Sequence, residues 1–294
     1  VHGGWEIDKN STVMSELPPP PPTPATGSPP PGSTSPSGLS LLAKLLLFAV
    51  LPIVVALALV AVVLSTLFTR GSDVTASERV EARSEVVVDV DNAEVRLLPS
   101  ADDDVHVRMT GYQWGHETQL VAGTSGDSTI IEGGCRGGWF GICRITLTVS
   151  LPAELPLVVE STNGAITVED LAGPLSLSTN NGAVRVSDSS GEIEASTSNG
   201  AVTVEDSASP RVAASTSNGR IELRFDEAPV TVDARTSNGG VSIGVPVDGY
   251  EYRVDVETVN GSVDDSAVPV DNDSNRSIFV RTSNGSVTVE PSDG

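Results

Sequence analysis

The chain has 294 residues, with 17 basic side chains against 39 acidic ones and a formal net charge of −22. Aromatic residues make up only 4% of it, beside 28 Gly and 20 Pro, which excludes one large aromatic-rich core. Residues 1–70 are neutral, so the whole charge lies beyond them; a domain that acidic repels phosphate backbones, and nucleic-acid binding is excluded.

Residues 1–40 open the chain with an unbroken proline run, Pro18 to Pro22, followed by Pro24, Pro29, Pro30, Pro31 and Pro36 among Ser, Thr and Gly. Such a segment favours extended polyproline II and buries too little apolar surface to offset its ordering entropy. It reads as a disordered, Pro-rich cytoplasmic tail acting as a semi-rigid tether, with a ligand for proline-recognition domains as the lesser alternative. The sequence begins at Val1, and Met14 is the expected start residue.

Leu45 to Phe68 is a stretch without a charge, LLLFAVLPIVVALALVAVVLSTLF, bracketed by Lys44 and Arg70. A helix needs about 20 apolar residues to cross a bilayer. Residues 41–70 are therefore expected to form one transmembrane α-helix whose partner is the lipid bilayer. A helix buried in a core is the competing reading, but no helical segment downstream would cover it. The nearby arginines (Arg70, Arg79, Arg83) would place the C-terminus inside by the positive-inside rule. The cysteines point the other way, to a cytoplasmic N-terminus and an extracytoplasmic C-terminal domain in a single-pass protein of the cell membrane.

Residues 71–84 (GSDVTASERVEARS) read as a polar juxtamembrane stalk, and residues 85–291 as one β-strand-repeat domain. Its first part, to residue 150, alternates as strands in VVVDVDNAEVRLL and ITLTVSLP and reads as an atypical, capping lead-in. Within it Cys135 and Cys143 lie eight residues apart in GGCRGGWFGICR, between two strand-like runs. No second Cys or His pair accompanies them, so a disulfide fits better than zinc, and disulfides persist outside the cytoplasm. Tyr112, Trp114, Trp139 and Phe140 gather around the same loop, either capping the end of the core or forming an exposed binding platform.

From residue 157 an internal repeat takes over. Asn-Gly recurs at Asn163-Gly164, Asn181-Gly182, Asn199-Gly200, Asn218-Gly219, Asn238-Gly239, Asn260-Gly261 and Asn284-Gly285, at spacings of 18, 18, 19, 20, 22 and 24 residues. Six residues before each Asn stand Leu157, Leu175, Ile193, Val212, Val232, Val254 and Ile278; two before are Ser161 and then threonines throughout. Two after each Gly stand Ile166, Val184, Val202, Ile221, Val241, Val263 and Val287. This period of two marks strands buried on one face, with Asn-Gly at a turn because both residues accept positive φ cheaply. A β-solenoid and an antiparallel meander both fit. The all-β, β-helix-like solenoid is favoured because small Ala and Thr recur at fixed inward rows and no helix is available as a second layer.

No chemistry-bearing constellation stands out. Gly240-Val241-Ser242-Ile243-Gly244 matches the nucleophile-elbow pattern, but His2, His106 and His116 all lie upstream, and Ser242 fills a slot that Thr or Arg fills in other repeats. Asp271-Asn272-Asp273-Ser274-Asn275 begins like a calcium loop, but Arg276 stands where the turn glycine belongs. That loop and Asp102-Asp103-Asp104 read as solvated surface. No catalytic residue, metal ligand or cofactor is assigned.

The runs VSLPAELPLVVESTNGAITVEDL, LSTNNGAVRVSD, ASTSNGAVTVED and ASTSNGRIEL resemble the bacterial "putative adhesin" family of β-strand-repeat proteins over roughly residues 84–290. The resemblance implies an extracytoplasmic β-solenoid tethered by one membrane helix, with a cell-wall or surface ligand, and offers no site residues to carry over. The expected function is non-enzymatic adhesion or ligand binding. The alternatives are envelope-stress signalling through the Pro-rich tail and a passive scaffold, with the oligomeric state open.

Overall fold

The computed structural model describes residues 41–68, 71–136 and 141–292. The proline-rich segment therefore lies outside the described residues, as do Trp139 and Phe140. The chain divides into two units, Val1–Leu59 and Val60–Gly294.

The helix α1 runs Leu41–Phe68 with Pro52 inside it. Its described side chains, Phe48 to Val63 and Ser65, are all exposed. Among the described residues no helix is long and apolar enough to cross a membrane. This corrects the expected transmembrane helix.

The lead-in forms β1 (Ser72–Glu81), β2 (Glu85–Asp91), β3 (Ala93–Pro99), β4 (Asp104–Trp114), β5 (Glu117–Ser125), β6 (Ser128–Arg136) and β7 (Ile142–Leu151). The segment read as a stalk thus contains a strand, β1, which pairs antiparallel with β4 along ten residues. β4 also pairs antiparallel with β7, and β5 with β6. β2 and β3 instead pair in parallel with β6 and β7.

Each repeat then adds two strands. Those before the Asn-Gly pairs are β8 (Leu157–Ser161), β10 (Leu175–Thr179), β12 (Ile193–Thr197), β14 (Arg211–Asn218), β16 (Thr231–Asn238), β18 (Arg253–Asn260) and β20 (Ser277–Asn284). Those after them are β9 (Ile166–Glu169), β11 (Val184–Ser187), β13 (Val202–Ser207), β15 (Ile221–Phe225), β17 (Val241–Val245), β19 (Val263–Asp264) and β21 (Val287–Pro291). Every strand pairs in parallel with its counterpart in a neighbouring unit, so like stacks on like: Leu157, Leu175, Ile193, Val212, Val232 and Ile278 stand in one row. Parallel pairing rules out the antiparallel meander, because Asn-Gly never closes a hairpin.

The strands assemble into an 11-stranded sheet, β1-β4-β7-β3-β9-β11-β13-β15-β17-β21-β19, and a 10-stranded sheet, β18-β20-β16-β14-β12-β10-β8-β2-β6-β5. The inward rows of both form one hydrophobic cluster, built almost wholly from Val, Leu, Ile and Ala. Burying each Val, Leu or Ile side chain stabilises by about 1.5–3 kcal/mol. The molecule is therefore all-β, but the expected uniform solenoid is corrected to two sheets about a shared core. Two features break the coil order. Antiparallel strands open both sheets, and at the far end β20 and β21 lie between their neighbours and the earlier strands β18 and β19.

Candidate functional site

A spine of small polar groups holds the Asn-Gly corners. Each asparagine amide donates to the preceding carboxamide oxygen: Asn163 to Asn92 (2.9 Å), Asn181 to Asn163 (2.7 Å), Asn199 to Asn181 (2.9 Å) and Asn218 to Asn199 (3.1 Å). The chain of amides continues through Asn238, Asn284 and Asn260. Behind it the Thr179, Thr197, Thr216, Thr236, Thr282 and Thr258 hydroxyls donate to glycine carbonyls at 2.9–3.2 Å. These amides and hydroxyls spend their hydrogen bonds on one another, so the ladder is a structural device. Positive φ is found at the opposite corner, at Asp170, Asp188 and Asp206, and none of the Asn-Gly residues adopts it.

Cys135 and Cys143 are joined in a disulfide, with Cα atoms 6.4 Å apart. β6 belongs to the 10-stranded sheet and β7 to the 11-stranded one, so the bond ties the two sheets together at their first end. Tyr112 is exposed on β4, beside Asp73 and Arg144 on the flanking strands, and Trp114 on the same strand is half-buried. Only these two of the four aromatic residues named from the sequence are among the described residues.

Ser242 lies half-buried on the outer face of β17 between Glu222 and Thr288 of the adjoining strands, with no histidine beside it in either pairing. In the 271–275 loop the Asp271 carboxylate accepts from the Asp273 N–H, and the Ser274 hydroxyl donates to Glu251 O. Among the described residues no group of three or more His, Cys, Asp or Glu side chains is placed to hold a metal ion. At the β3–β4 turn Asp102 accepts from His106 Nε2 (2.7 Å) and Ser100 Oγ (2.9 Å), and these bonds, His106 first, hold its carboxyl at about 2. Arg79 pairs with Asp104 and Asp102 across the same turn.

What remains for recognition is the outward rows. On the 11-stranded sheet one row reads Arg108, Thr148, Arg96, Thr167, Arg185 and Thr203 across six adjacent strands. Arg96 is held by Glu94 (2.8 Å), while Arg108 and Arg185 have no ion-pair partner among the described residues.

The 10-stranded sheet carries a different outer face where β6, β2 and β8 lie side by side. Ile130, Val87 and Val158 form one outward row, and Glu132, Asp89 and Glu160 the next. The aliphatic three are half-buried and the carboxylates exposed. Two hollows bracket the strip. One of about 60 Å³ is lined by Asp89, Asp91, Gln119 and Glu132, and one of about 500 Å³ by Glu85, Pro156, Val158 and Pro174 among others. This face is absent from the sites expected from the sequence. Its signal was present in the consecutive aliphatics of VVV (86–88), II (130–131) and LVV (157–159), where strict alternation predicts a polar residue.

No protein-family model matches the chain, and no curated protein does. Solved structures do resemble it. A putative adhesin from Bacteroides fragilis is 11% identical with a TM-score of 0.47, covering 74% of this chain and 97% of that one. A putative cell adhesion protein from Clostridium sporogenes is 9% identical with a TM-score of 0.39, covering 76% and 100%. A putative lipid binding protein from Parabacteroides distasonis is 10% identical with a TM-score of 0.35, covering 74% and 97%.

Proposed function

We propose that the β-strand-repeat domain is a non-enzymatic binding module of the cell envelope, adhering to a wall or surface ligand through the outer faces of its sheets. One observation carries the reading. The inward rows repeat one aliphatic theme from unit to unit, whereas the outward rows change from strand to strand, from Arg and Thr to Ser, Glu and aliphatics. Packing constrains the inner rows; the outer rows are free to carry recognition. The Cys135–Cys143 disulfide supports an extracytoplasmic location, where such bonds persist.

Co-sedimentation of the oxidised full chain with isolated bacterial cell walls, with and without calcium, tests this. Saturable pelleting is expected. Absence of pelleting under both conditions rejects wall adhesion as the role.

A further inference from the structure

We infer that the outer face of β6, β2 and β8 is a docking surface for a basic, apolar segment of a partner protein; the inference rests on the binding role proposed above. The first ground is the cost of the face to the free molecule. Like charges directly opposite on neighbouring strands destabilise a sheet, and Glu132, Asp89 and Glu160 stand opposite one another, about 4.8 Å per strand apart. Among the described residues none of the three makes an ion pair. Further along the same row the repeat places Ser178, Ser196 and Ser215, which fold equally well without that repulsion.

The second ground is the aliphatic row beside the carboxylates. Val87, Ile130 and Val158 point away from the core, while their neighbours Val86, Val88, Ile131, Leu157 and Val159 already fill it. Beyond Ile130 the next strand presents Gly123, which leaves the strip open at that side. An apolar strip edged by three unneutralised carboxylates complements a segment with aliphatic side chains on one row and Lys or Arg on the next. The net charge of −22 steers such a cation towards the domain and repels an anionic partner.

The test uses the full chain and a labelled strand-length peptide alternating Val and Lys, read by fluorescence anisotropy at low and high salt. Two control peptides replace Val by Ser or Lys by Glu. The Val–Lys peptide is expected to bind, and the Ser–Lys and Val–Glu peptides to bind at least about tenfold more weakly. Asp89→Asn with Glu132→Gln and Glu160→Gln should weaken binding by about tenfold at low salt and by less at high salt. Val87→Ser with Val158→Ser should weaken it by about tenfold at both. Glu169→Gln with Glu205→Gln and Glu222→Gln changes the net charge equally on the other sheet and should leave binding within about twofold.

Equal loss in that control, or equal binding of the Val–Lys and Ser–Lys peptides, overturns the proposal in favour of bulk charge attraction. A dimer on size exclusion that Val87→Ser with Val158→Ser dissolves overturns it in favour of a second copy of the chain. The carboxylate triple variant keeps the test available where the valine variant fails to fold. Peptide binding absent while wall pelleting persists sinks this proposal and leaves the adhesion reading standing; the reverse result sinks adhesion to the wall and leaves the docking surface.

Discussion

The seven repeat glycines look interchangeable with turn glycines elsewhere, yet their role is different. Gly182 has no positive φ; its missing side chain is what matters, because a Cβ there would collide with the carbonyl oxygen of Gly164 in the preceding unit. The same contact recurs at Gly200 against Gly182 and at Gly219 against Gly200, so glycine carbonyls file past one another where a β-carbon has no room. Those carbonyls also accept from the threonine column, which fixes their position and leaves no slack to relieve a clash. Gly182→Ala is therefore expected to lose about 1–3 kcal/mol or more, as overpacked interiors do. Gly123→Ala, on β5 with open space around the added carbon, should stay within about 0.5 kcal/mol of the parent. Urea unfolding of the two variants measures the difference, and equal midpoints would refute the close-approach account.

At the scale of the element, one buried tyrosine anchors the loops at the C-terminal end, where the order of strands is exchanged. Tyr252 is fully buried, its hydroxyl donates to Pro246 O at 2.7 Å, and its backbone bridges to Val270. Arg276 packs on Tyr250 and donates to the carbonyls of Ala228 and Pro229, tying the loop to the preceding unit. Burial pushes the Tyr252 phenol up to about 12 from its ordinary 10. The group is neutral when protonated, so the raised value contributes stability that is complete below about pH 10 and lost as pH climbs from 10 to 12. Tyr252→Phe should lose about 0.5–1.5 kcal/mol at neutral pH with its hydrogen bond, and should show a flatter decline above pH 10. Thermal melts from pH 7 to 11.5 give both readings; a parallel decline in parent and variant would place the alkaline sensitivity elsewhere. None of this loop was legible in the sequence. β18 and β20 offer near-identical inward residues (Val254, Val256, Thr258 against Ile278, Val280, Thr282), so either order satisfies the local pattern. Strand existence and facing were legible throughout the repeat, since period two fixes which side chains go inward. Strand direction was less so: a row of Val stacks on Val in parallel or antiparallel pairing alike, and only the recurring Ala and Thr rows favoured the parallel pairing found in the repeat. The antiparallel opening strands were missed for the same reason, and the aliphatic strip because alternation was read only for what it buries.

For the whole molecule the balance of charge decides how the fold responds to salt. The described residues hold eight arginine–carboxylate contacts, all with partly or largely exposed partners such as Arg96–Glu94, Arg211–Glu192 and Arg281–Glu257. Exposed pairs contribute about 0–1 kcal/mol each, and salt weakens them. Against them stands the repulsion among an excess of 22 acids, concentrated beyond residue 70, which the same salt relieves. Raising sodium chloride from about 0.05 M to about 0.5 M shortens the screening length from roughly 14 Å to roughly 4 Å. Repulsion acts over the longer distances and is lost first, while contact pairs at 3 Å survive in part, so the net effect is stabilising. Recovery of about 1 kcal/mol raises the Tm by about 2–4 °C in a domain of this size. The row Glu132, Asp89 and Glu160 carries a share of that repulsion. Neutralising it with Asp89→Asn, Glu132→Gln and Glu160→Gln should raise the Tm at low salt and flatten its salt dependence, in the same variant that loses the Val–Lys peptide. Calorimetry at the two salt concentrations tests this directly. A Tm that falls with salt would mean the ion pairs outweigh the repulsion, and a triple variant less stable than the parent would mean those carboxylates serve the fold rather than a partner.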